Sequence, residues 1–249
     1  MPEKSEHRPE TLTAQALGWV DPTTRSIVPP IYPSVTYERA SDGAYPGGHT
    51  YTRDQNPTYD QVEALLNRLE GGEGALLFSS GMAAATTLFE TLDPGDHVVA
   101  PEQMYWTIQR WLESLAARGR IALNLIPNGD RAALEAALRP GLTKIVWVET
   151  PANPTLKLTD IAAVSTIAKE HGVPHAIDNT FLTPYYQRPI EFGGDLVIHS
   201  TTKYLDGHNA TVGGAVVSAT NELHEKVAFV QNATGSIMSP QVAWLTLQG

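Results

Sequence analysis

Residues 74–92, with the sequence GALLFSSGMAAATTLFETL, decide the fold class of this chain. GALLF is a short apolar run that predicts a buried strand, and the stretch from Gly81 onward predicts a helix. The same order of strand and helix recurs along the chain, which predicts an α/β fold. Because the strands are apolar throughout, we expect a mostly parallel sheet with helices on both faces.

The other elements follow from the same two patterns. Strands are predicted at residues 74–78, 96–100, 121–126, 143–149, 174–178, 195–200 and 213–218. Helices are predicted at residues 59–70, 81–92, 104–119, 130–138, 160–172 and 221–231. The first of these helices ends at Gly71, a residue type that favours helix ends. We assign these elements to one large α/β domain over residues 58–235.

Residues 1–57 differ from the rest of the chain and are rich in Pro, Gly and Tyr. The stretch SIVPPIYPSVTY, residues 26–37, cannot be a helix, because prolines remove donors and bias their neighbours towards extended geometry. We therefore predict an extended N-terminal arm over residues 1–57, of a kind that often contacts a partner subunit. A frayed terminus is the alternative interpretation.

Residues 236–249 are predicted to begin a further element. The segment SPQVAWLTLQG is typical of the start of a long amphipathic helix. We expect this helix to lead to a C-terminal domain that is absent, which would make the chain a fragment.

Composition excludes several classes of function. The 249 residues are 42% hydrophobic, which is enough for a sizeable core. Seventeen Lys and Arg against 27 Asp and Glu give a net charge of −10, which argues against binding nucleic acid or an anionic membrane. The chain has no Cys, so disulfides, thiolate nucleophiles and Cys-ligated metals are excluded, and no metal site is predicted. With no signal pattern and no apolar run of roughly 20 residues, we expect a cytoplasmic protein.

Groups rich in polar residues stand at the end of four of the predicted strands or directly after it. They occupy residues 79–82, 150–154, 178–180 and 199–203. Ligands of parallel α/β sheets bind at the carboxyl ends of the strands, so these four groups should meet at one edge. No GxGxxG fingerprint and no GKS or GKT is present, so neither a nicotinamide dehydrogenase nor a P-loop protein is favoured.

Three of these features have an ordinary interpretation beside a functional one. The turn SSGMAA, residues 79–84, could bind an anion at a helix N-terminus, or Ser80 could only cap the helix. Asp178 follows an apolar strand, so its carboxylate could cap a helix or pair with a cationic ligand group. Lys203 could be a solvated loop residue, or a desolvated amine that acts as a nucleophile.

Together the three features suggest pyridoxal 5'-phosphate as the cofactor. This cofactor needs a Lys for its Schiff base and an acid that keeps the pyridine nitrogen protonated. It also needs a cup for its phosphate, which hydroxyl groups and a helix N-terminus can supply. Lys203, Asp178 and the SSGMAA turn are the candidates for these three parts.

Five motifs of the chain occur in the order found in a known family. They are YTRDQNPT at 51–58, LLFSSGMAA at 76–84, ETPANPTLKLTDI at 149–161, AIDNTF at 176–181 and HSTTKYLDGH at 199–208. On these motifs the chain resembles the Cys/Met-metabolism, or trans-sulfuration, family of pyridoxal-phosphate enzymes. The resemblance implies the large domain of the aspartate-aminotransferase-like fold, known as fold type I.

The resemblance also implies roles for individual residues. Lys203 would be the Schiff-base lysine and would later shuttle protons, while Asp178 would pair with the pyridine nitrogen. Asn153 would bond the phenolic oxygen of the ring. Tyr105 would stack on the ring and assist substrate deprotonation, so Lys203 and Tyr105 are the catalytic candidates.

By the same resemblance, the phosphate would be bound by four residues of the same subunit. These are Gly81 and Met82, through their backbone amides, and Ser200 and Thr202, through their side chains. All four lie in the polar groups that follow predicted strands.

Two residues of the arm are implied to serve another subunit. Tyr51 and Arg53 would reach the phosphate of a neighbouring chain. The resemblance therefore implies a homo-oligomer, a dimer of dimers, in which each site is incomplete alone.

The implied reaction is a β- or γ-elimination, or a γ-replacement, on a small amino-acid substrate of the sulfur-containing or O-acylated homoserine type. The family's substrate-carboxylate Arg would lie in the C-terminal domain that we expect to be absent. The alternative is therefore a non-catalytic fragment that binds the cofactor or partner subunits without turnover.

Two segments depart from the family's pattern. Trp106 and Thr107 follow Tyr105 where many members have a Gly-Gly-Thr turn, which leaves the leaving-group preference open. Ala210 stands where many members have Asp, outside the expected cofactor contacts.

Overall fold

The computed structural model describes residues 7–14 and 16–249. Residues 1–6 and Gln15, which belong to the predicted arm, lie outside the described residues. A seven-stranded sheet forms the centre of the fold. Its strands are β1 Gly74–Phe78, β2 His97–Pro101, β3 Ala122–Ile126, β4 Thr143–Glu149, β5 His175–Asp178, β6 Leu196–His199 and β7 Gly214–Ser218. Each predicted strand is confirmed to within one residue at either end.

The order of the strands in the sheet is β1-β7-β6-β5-β4-β2-β3. Strands β3, β2, β4, β5 and β6 pair parallel to one another, while β7 is antiparallel to both β6 and β1. The prediction of a mostly parallel sheet is therefore confirmed. Because the central strands run in one direction, their carboxyl ends share one edge of the sheet.

Helices connect all consecutive strands except β6 and β7, and each predicted helix is present. The α-helices of the described residues are α1 Pro9–Ala14, α2 Pro57–Glu70, α3 Gly81–Glu90, α4 Trp106–Ala117, α5 Arg131–Ala137, α6 Ile161–Glu170, α7 Thr183–Tyr186, α8 Asn221–Thr234 and α9 Pro240–Gln248. Two short 3₁₀ helices lie at Ala16–Gly18 and Pro189–Phe192. The sequence did not predict α1, α7 or the 3₁₀ helices, because so few residues cannot display a periodic apolar stripe.

The sheet is covered on both faces, as predicted. Alternate strand residues such as Phe78 and Trp147 pack with α3, α4 and α8 on one face. On the other face, Leu77 and its neighbours pack with α2 and α9, and Val146 and its neighbours pack with α5 and α6. The alternation of side chains along each strand produces this two-sided core.

The arm is attached to the domain by polar contacts. Of the described residues, those from 19 to 56 form no helix or strand beyond an isolated bridge between Thr36 and Tyr51. The Trp244 indole of α9 donates to the Pro29 carbonyl at 2.7 Å, and the Tyr32 amide donates to the Thr58 hydroxyl of α2 at 2.9 Å. Across the described part of the chain, no helix is both long enough and apolar enough to span a membrane.

Candidate active site

A cleft of about 660 Å³ opens at the carboxyl edge of the parallel strands. It is bounded by the start of α3, the ends of β4, β5 and β6, and the loop that follows β6. Eight of the ten residues predicted for the site line it, namely Gly81, Met82, Tyr105, Asn153, Asp178, Ser200, Thr202 and Lys203. The polar groups that follow the four predicted strands therefore meet at one edge, as the topology rule requires.

The N-terminus of α3 points at this cleft. Ser80 caps the helix, and its hydroxyl accepts a hydrogen bond from the Ala83 amide at 3.0 Å. The Gly81 and Met82 amides have no acceptor within the helix, because no helical carbonyl precedes the first turn. A Cβ atom on Gly81 would lie 2.7 Å from the Ser200 Cβ, so the close approach of helix and loop depends on glycine. The predicted ordinary cap is present, and the first-turn amides still form a cradle suited to an anion.

The loop after β6 supplies the other side of the cradle. The Ser200 amide donates to the Thr180 hydroxyl at 2.8 Å, which fixes the start of the loop. The Thr202 hydroxyl donates to the Gly213 carbonyl at 3.1 Å and accepts from the Gly213 amide at 3.0 Å. Its proton is thus directed at the protein, and donation to a phosphate would require the hydroxyl to rotate. Lys203 is exposed and lines the cleft.

Asp178 ends β5 and lines the same cleft. One carboxylate oxygen accepts the Thr180 amide at 3.0 Å. This bond closes a turn rather than capping a helix, so the helix-cap alternative for Asp178 is wrong. Burial raises the pKa of the Asp178 carboxyl, while the hydrogen bonds from Thr180 and the charge of His199 oppose that rise. A half-buried carboxylate of this kind favours a cationic partner.

A buried hydrogen-bonded pair, His199 and Glu70, was not predicted from the sequence. His199 Nε2 and Glu70 Oε1 are 2.6 Å apart, and both side chains are fully buried. The Asn179 side-chain amide also donates to Glu70 Oε1, at 3.3 Å. Because Glu70 ends α2 and His199 ends β6, the pair ties a helix to the strand that carries the predicted cofactor residues.

Glu149 is a second site residue that the sequence reasoning missed. It ends β4, lines the cleft and is only 4% exposed. One oxygen accepts the Tyr105 amide at 2.5 Å, and the other accepts the Asn153 amide at 2.6 Å. Burial, together with the charge of Asp178, raises the pKa of Glu149 to about 7. The available signal was its position as the last residue of a predicted strand, beside the group at 150–154.

Tyr51 and Arg53 do not line the cleft of their own chain. Both are exposed, and the Arg53 guanidinium lies 5.2 Å from the centre of the Tyr51 ring. Arg53 Nε also donates to the Asn232 side chain at 2.8 Å, so the arm rests on α8. Their role towards a neighbouring subunit stays a prediction.

The residues that depart from the family's pattern lie outside the cleft lining. Trp106 is the first residue of α4, and 67% of its surface is exposed. Thr107 follows it, and Ala210 is exposed in the loop between β6 and β7. The adjacent Asn209 does line the cleft and has a positive φ of 53°, a conformation that Asn tolerates better than most residues.

These groups fit pyridoxal 5'-phosphate. The first-turn amides of α3 and the Ser200 hydroxyl form an anion cradle, and the absence of a side chain at Gly81 lets the helix and the loop approach closely there. Asp178 supplies an acid for a cationic ring nitrogen, and Lys203 supplies a primary amine in the same cleft. In the part of the chain that the structure describes, no three His, Asp or Glu side chains are grouped as a metal site would require.

Known proteins resemble the chain in sequence and in structure. It is 42% identical over 226 residues to a probable cystathionine gamma-synthase of Herpetosiphon aurantiacus, which covers 91% of this chain and 70% of that protein. It is 43% identical over 229 residues to a cystathionine gamma-lyase of Bacillus subtilis (strain 168), covering 92% of this chain and 60% of that protein. A cystathionine gamma synthase from Xanthomonas oryzae pv. oryzae, solved in complex with cystathionine, superposes with a TM-score of 0.93 at 38% identity.

The structural match covers 98% of this chain and 63% of the solved chain. The chain thus spans 60% to 70% of the length of these three relatives. The family model described as Cys/Met metabolism PLP-dependent enzyme matches residues 10–249. A match over nearly the whole chain, together with identities above 40%, means that the chain belongs to the Cys/Met metabolism family of PLP-dependent enzymes.

Proposed function

We propose that this chain is the cofactor-binding part of an enzyme that acts on sulfur-containing or O-acylated homoserine-type amino acids. The reaction is a β- or γ-elimination or a γ-replacement, the chemistry of cystathionine synthases and lyases. The observation that carries the proposal is the meeting of Lys203, Asp178 and the α3 N-terminus in one cleft. The names of the relatives include a synthase and a lyase, so they support the reaction class and not one member of it.

Each group of the cleft has a distinct task in this proposal. Pyridoxal 5'-phosphate, when bound, supplies an electron sink for the negative charge that develops at the substrate Cα. The Asp178 carboxylate holds the positive charge of the ring nitrogen, because opposite charges favour each other most strongly away from water. The Gly81 and Met82 amides and the Ser200 hydroxyl bind the phosphate, with the dipole of α3 favouring the anion.

Lys203 has two tasks, of which only the second is proton transfer. Its amine would hold the cofactor while the substrate is absent. With a substrate bound, the free Lys203 amine would accept the proton that leaves Cα and return it elsewhere on the substrate. Tyr105 and Asn153 line the same cleft and would orient the cofactor ring.

The proposal includes a homo-oligomer of the dimer-of-dimers type and a cytoplasmic location. Exposure of Tyr51 and Arg53 away from their own cleft supports a role towards a neighbouring chain. None of the four residues predicted to bind the phosphate, Gly81, Met82, Ser200 and Thr202, has a cationic side chain, so the site would gain a guanidinium from that neighbour. The shortage of cationic side chains in the described cup is what favours a shared site.

Reconstitution of the purified chain with pyridoxal 5'-phosphate tests the proposal. We expect a visible absorbance band from the covalently bound cofactor in the wild type and its loss in Lys203→Ala, because this variant lacks the amine. Lys144→Ala, which removes an exposed lysine far from the cleft lining, is the matched control and should keep the band. Absence of the band in the wild type, or its persistence in Lys203→Ala, would refute the cofactor assignment.

A substrate panel then tests the reaction class. Cystathionine, methionine, and O-acetyl- or O-succinylhomoserine with Cys or sulfide are the substrates to compare, with keto acid and thioether as products. Turnover of any of them supports the proposal. A cofactor band without turnover on the whole panel supports the non-catalytic alternative instead.

A further inference from the structure

Glu149 and Asp178 end two neighbouring parallel strands. They are direct register partners in the pairing of β4 with β5. Strands in a sheet lie about 4.8 Å apart, and residues in register point to the same face, so the two carboxylates emerge side by side. Both line the cleft.

Each of the two carboxylate oxygens of Glu149 accepts a hydrogen bond from a different segment of the site. Oε2 accepts the Tyr105 amide at 2.5 Å, at the turn that begins α4. Oε1 accepts the Asn153 amide at 2.6 Å, in the loop after β4. Tyr105 is the N-cap residue of α4, and its side chain makes no capping hydrogen bond to that helix. The Glu149 carboxylate instead holds the start of α4 by accepting the Tyr105 amide. One side chain therefore fixes the backbone of two predicted cofactor residues.

The charges around Glu149 make its protonation sensitive to a cation. Asp178 on β5 is the charged group that acts on it, and Asp178 in turn feels His199 on β6, which is paired with Glu70 of α2. The other titratable side chains that line the cleft are those of Tyr105, Lys203 and Tyr204. When both carboxylates are ionised, two like charges face each other until a cation arrives between or beside them.

We propose that Glu149 is a positioning residue that holds Tyr105 and Asn153 in place and forms with Asp178 a carboxylate pair that couples cofactor binding to protonation. The inference rests on the proposed function, because the cation that relieves the pair is the protonated ring nitrogen. Glu149 acts through the Tyr105 and Asn153 backbone and through the charge of Asp178, and needs no contact with the cofactor.

The expected pH dependence follows from the sign of the interaction. In the free chain the pKa of Glu149 is about 7, because burial and Asp178 raise it. Below that pH the carboxyl is neutral and adds little attraction for a cationic ring. Above that pH the Glu149 carboxyl is ionised, so it strengthens binding of the ring-protonated cofactor. By linkage, binding of this cofactor lowers the proton affinity of Glu149.

Titration of the cofactor into Glu149→Gln tests the inference. The dissociation constant of pyridoxal 5'-phosphate, read from the visible band, is measured between pH 6 and pH 8.5. We expect the ratio of Glu149→Gln to wild type to rise about tenfold over this range, since one charge within a few ångströms shifts a titration by about one unit or more. A ratio independent of pH would overturn the proposed coupling.

Two further variants distinguish the effect of the Glu149 charge from the effect of its hydrogen bonds. Glu63→Gln is the matched control, because Glu63 also accepts a backbone amide, from Leu77 at 3.0 Å, and burial raises its pKa to about 8, yet it does not line the cleft. It should bind like the wild type at every pH. Glu149→Asp keeps the charge and shortens the reach, so we expect weaker binding at all pH values with the wild-type pH dependence. If Glu149→Gln does not fold, Glu149→Asp decides, because wild-type affinity in that variant contradicts the positioning role.

Failure of the inference and failure of the proposed function give different results. If the wild type shows no Lys203-dependent band, the proposed function is contradicted. If the wild type shows that band but Glu149→Gln binds the cofactor identically at every pH, only the role assigned to Glu149 is contradicted.

Discussion

Replacing Glu63 by glutamine is expected to stabilise the chain at high pH and to leave its stability almost unchanged at low pH. Glu63 lies on α2, and its carboxyl accepts the Leu77 amide of β1 at 3.0 Å. Burial raises the pKa of this carboxyl from 4.5 to about 8, and the charge of Asp60 adds to the rise. The folded chain therefore favours the protonated form. Stability contributed by Glu63 is present below about pH 4.5 and is lost as the pH rises through about 8.

The expected change in stability follows from the size of the pKa shift of Glu63. A change from 4.5 to about 8 corresponds to about 5 kcal/mol at 1.36 kcal/mol per unit. Glu63 is only partly buried by its surface, so solvent screening reduces this to roughly 2 kcal/mol. Glutamine keeps an oxygen that can accept the Leu77 amide and carries no charge. The free energy of unfolding of the variant should thus exceed that of the wild type by roughly 2 kcal/mol at pH 8.5 and by much less at pH 5.

Urea unfolding followed by circular dichroism at pH 5 and pH 8.5 measures the difference. Glu73→Gln is the matched control, because Glu73 is exposed just beyond α2 and its replacement should give the same small change at both pH values. The reasoning is refuted if Glu63→Gln changes the free energy of unfolding equally at pH 5 and pH 8.5, or destabilises the chain at pH 8.5.

Two further predictions concern the cofactor cradle and the arm. Gly81→Ala should weaken pyridoxal 5'-phosphate binding at least about tenfold, because its Cβ would lie 2.7 Å from the Ser200 Cβ and push the loop away from α3. Titration of the visible band measures this, with Gly47→Ala, where a Cβ meets open space, as the control, and unchanged affinity in Gly81→Ala would contradict the cradle. Arg53→Ala and Lys203→Ala should each lack activity, yet regain part of it when co-expressed, since one shared site then holds both intact residues. No regain in the purified mixed oligomer would argue against Arg53 serving a neighbour.

The strands and the position of the cleft could be predicted because local pattern determines both. Each strand is a short apolar run, and polar residues begin where the run ends, as at Asp178. The topology rule for parallel sheets then places those polar residues at one edge. No knowledge of the strand order was needed for this step.

The contacts of Glu149 and His199 could not be predicted, because they depend on the strand order and on pairs distant in sequence. Glu149 meets the Tyr105 amide, 44 residues away, only because β4 lies beside β2. His199 meets Glu70 across 129 residues, and neither motif nor periodicity relates the two positions. An acidic residue at the end of a strand or a helix has the same sequence pattern whether its side chain faces solvent or a buried partner.

Helix α2 has a consequence that extends beyond its packing. Its first turn is bound to the arm, since Asn56 caps it and also donates to the Tyr32 carbonyl at 2.9 Å. Its last residue, Glu70, is hydrogen-bonded to His199, which precedes the loop that carries Ser200, Thr202 and Lys203. Fourteen residues span about 21 Å, so a stiff rod joins the arm to the site. In the proposed oligomer, a neighbouring subunit that displaced the arm would therefore also displace, through α2, the strand that precedes Lys203.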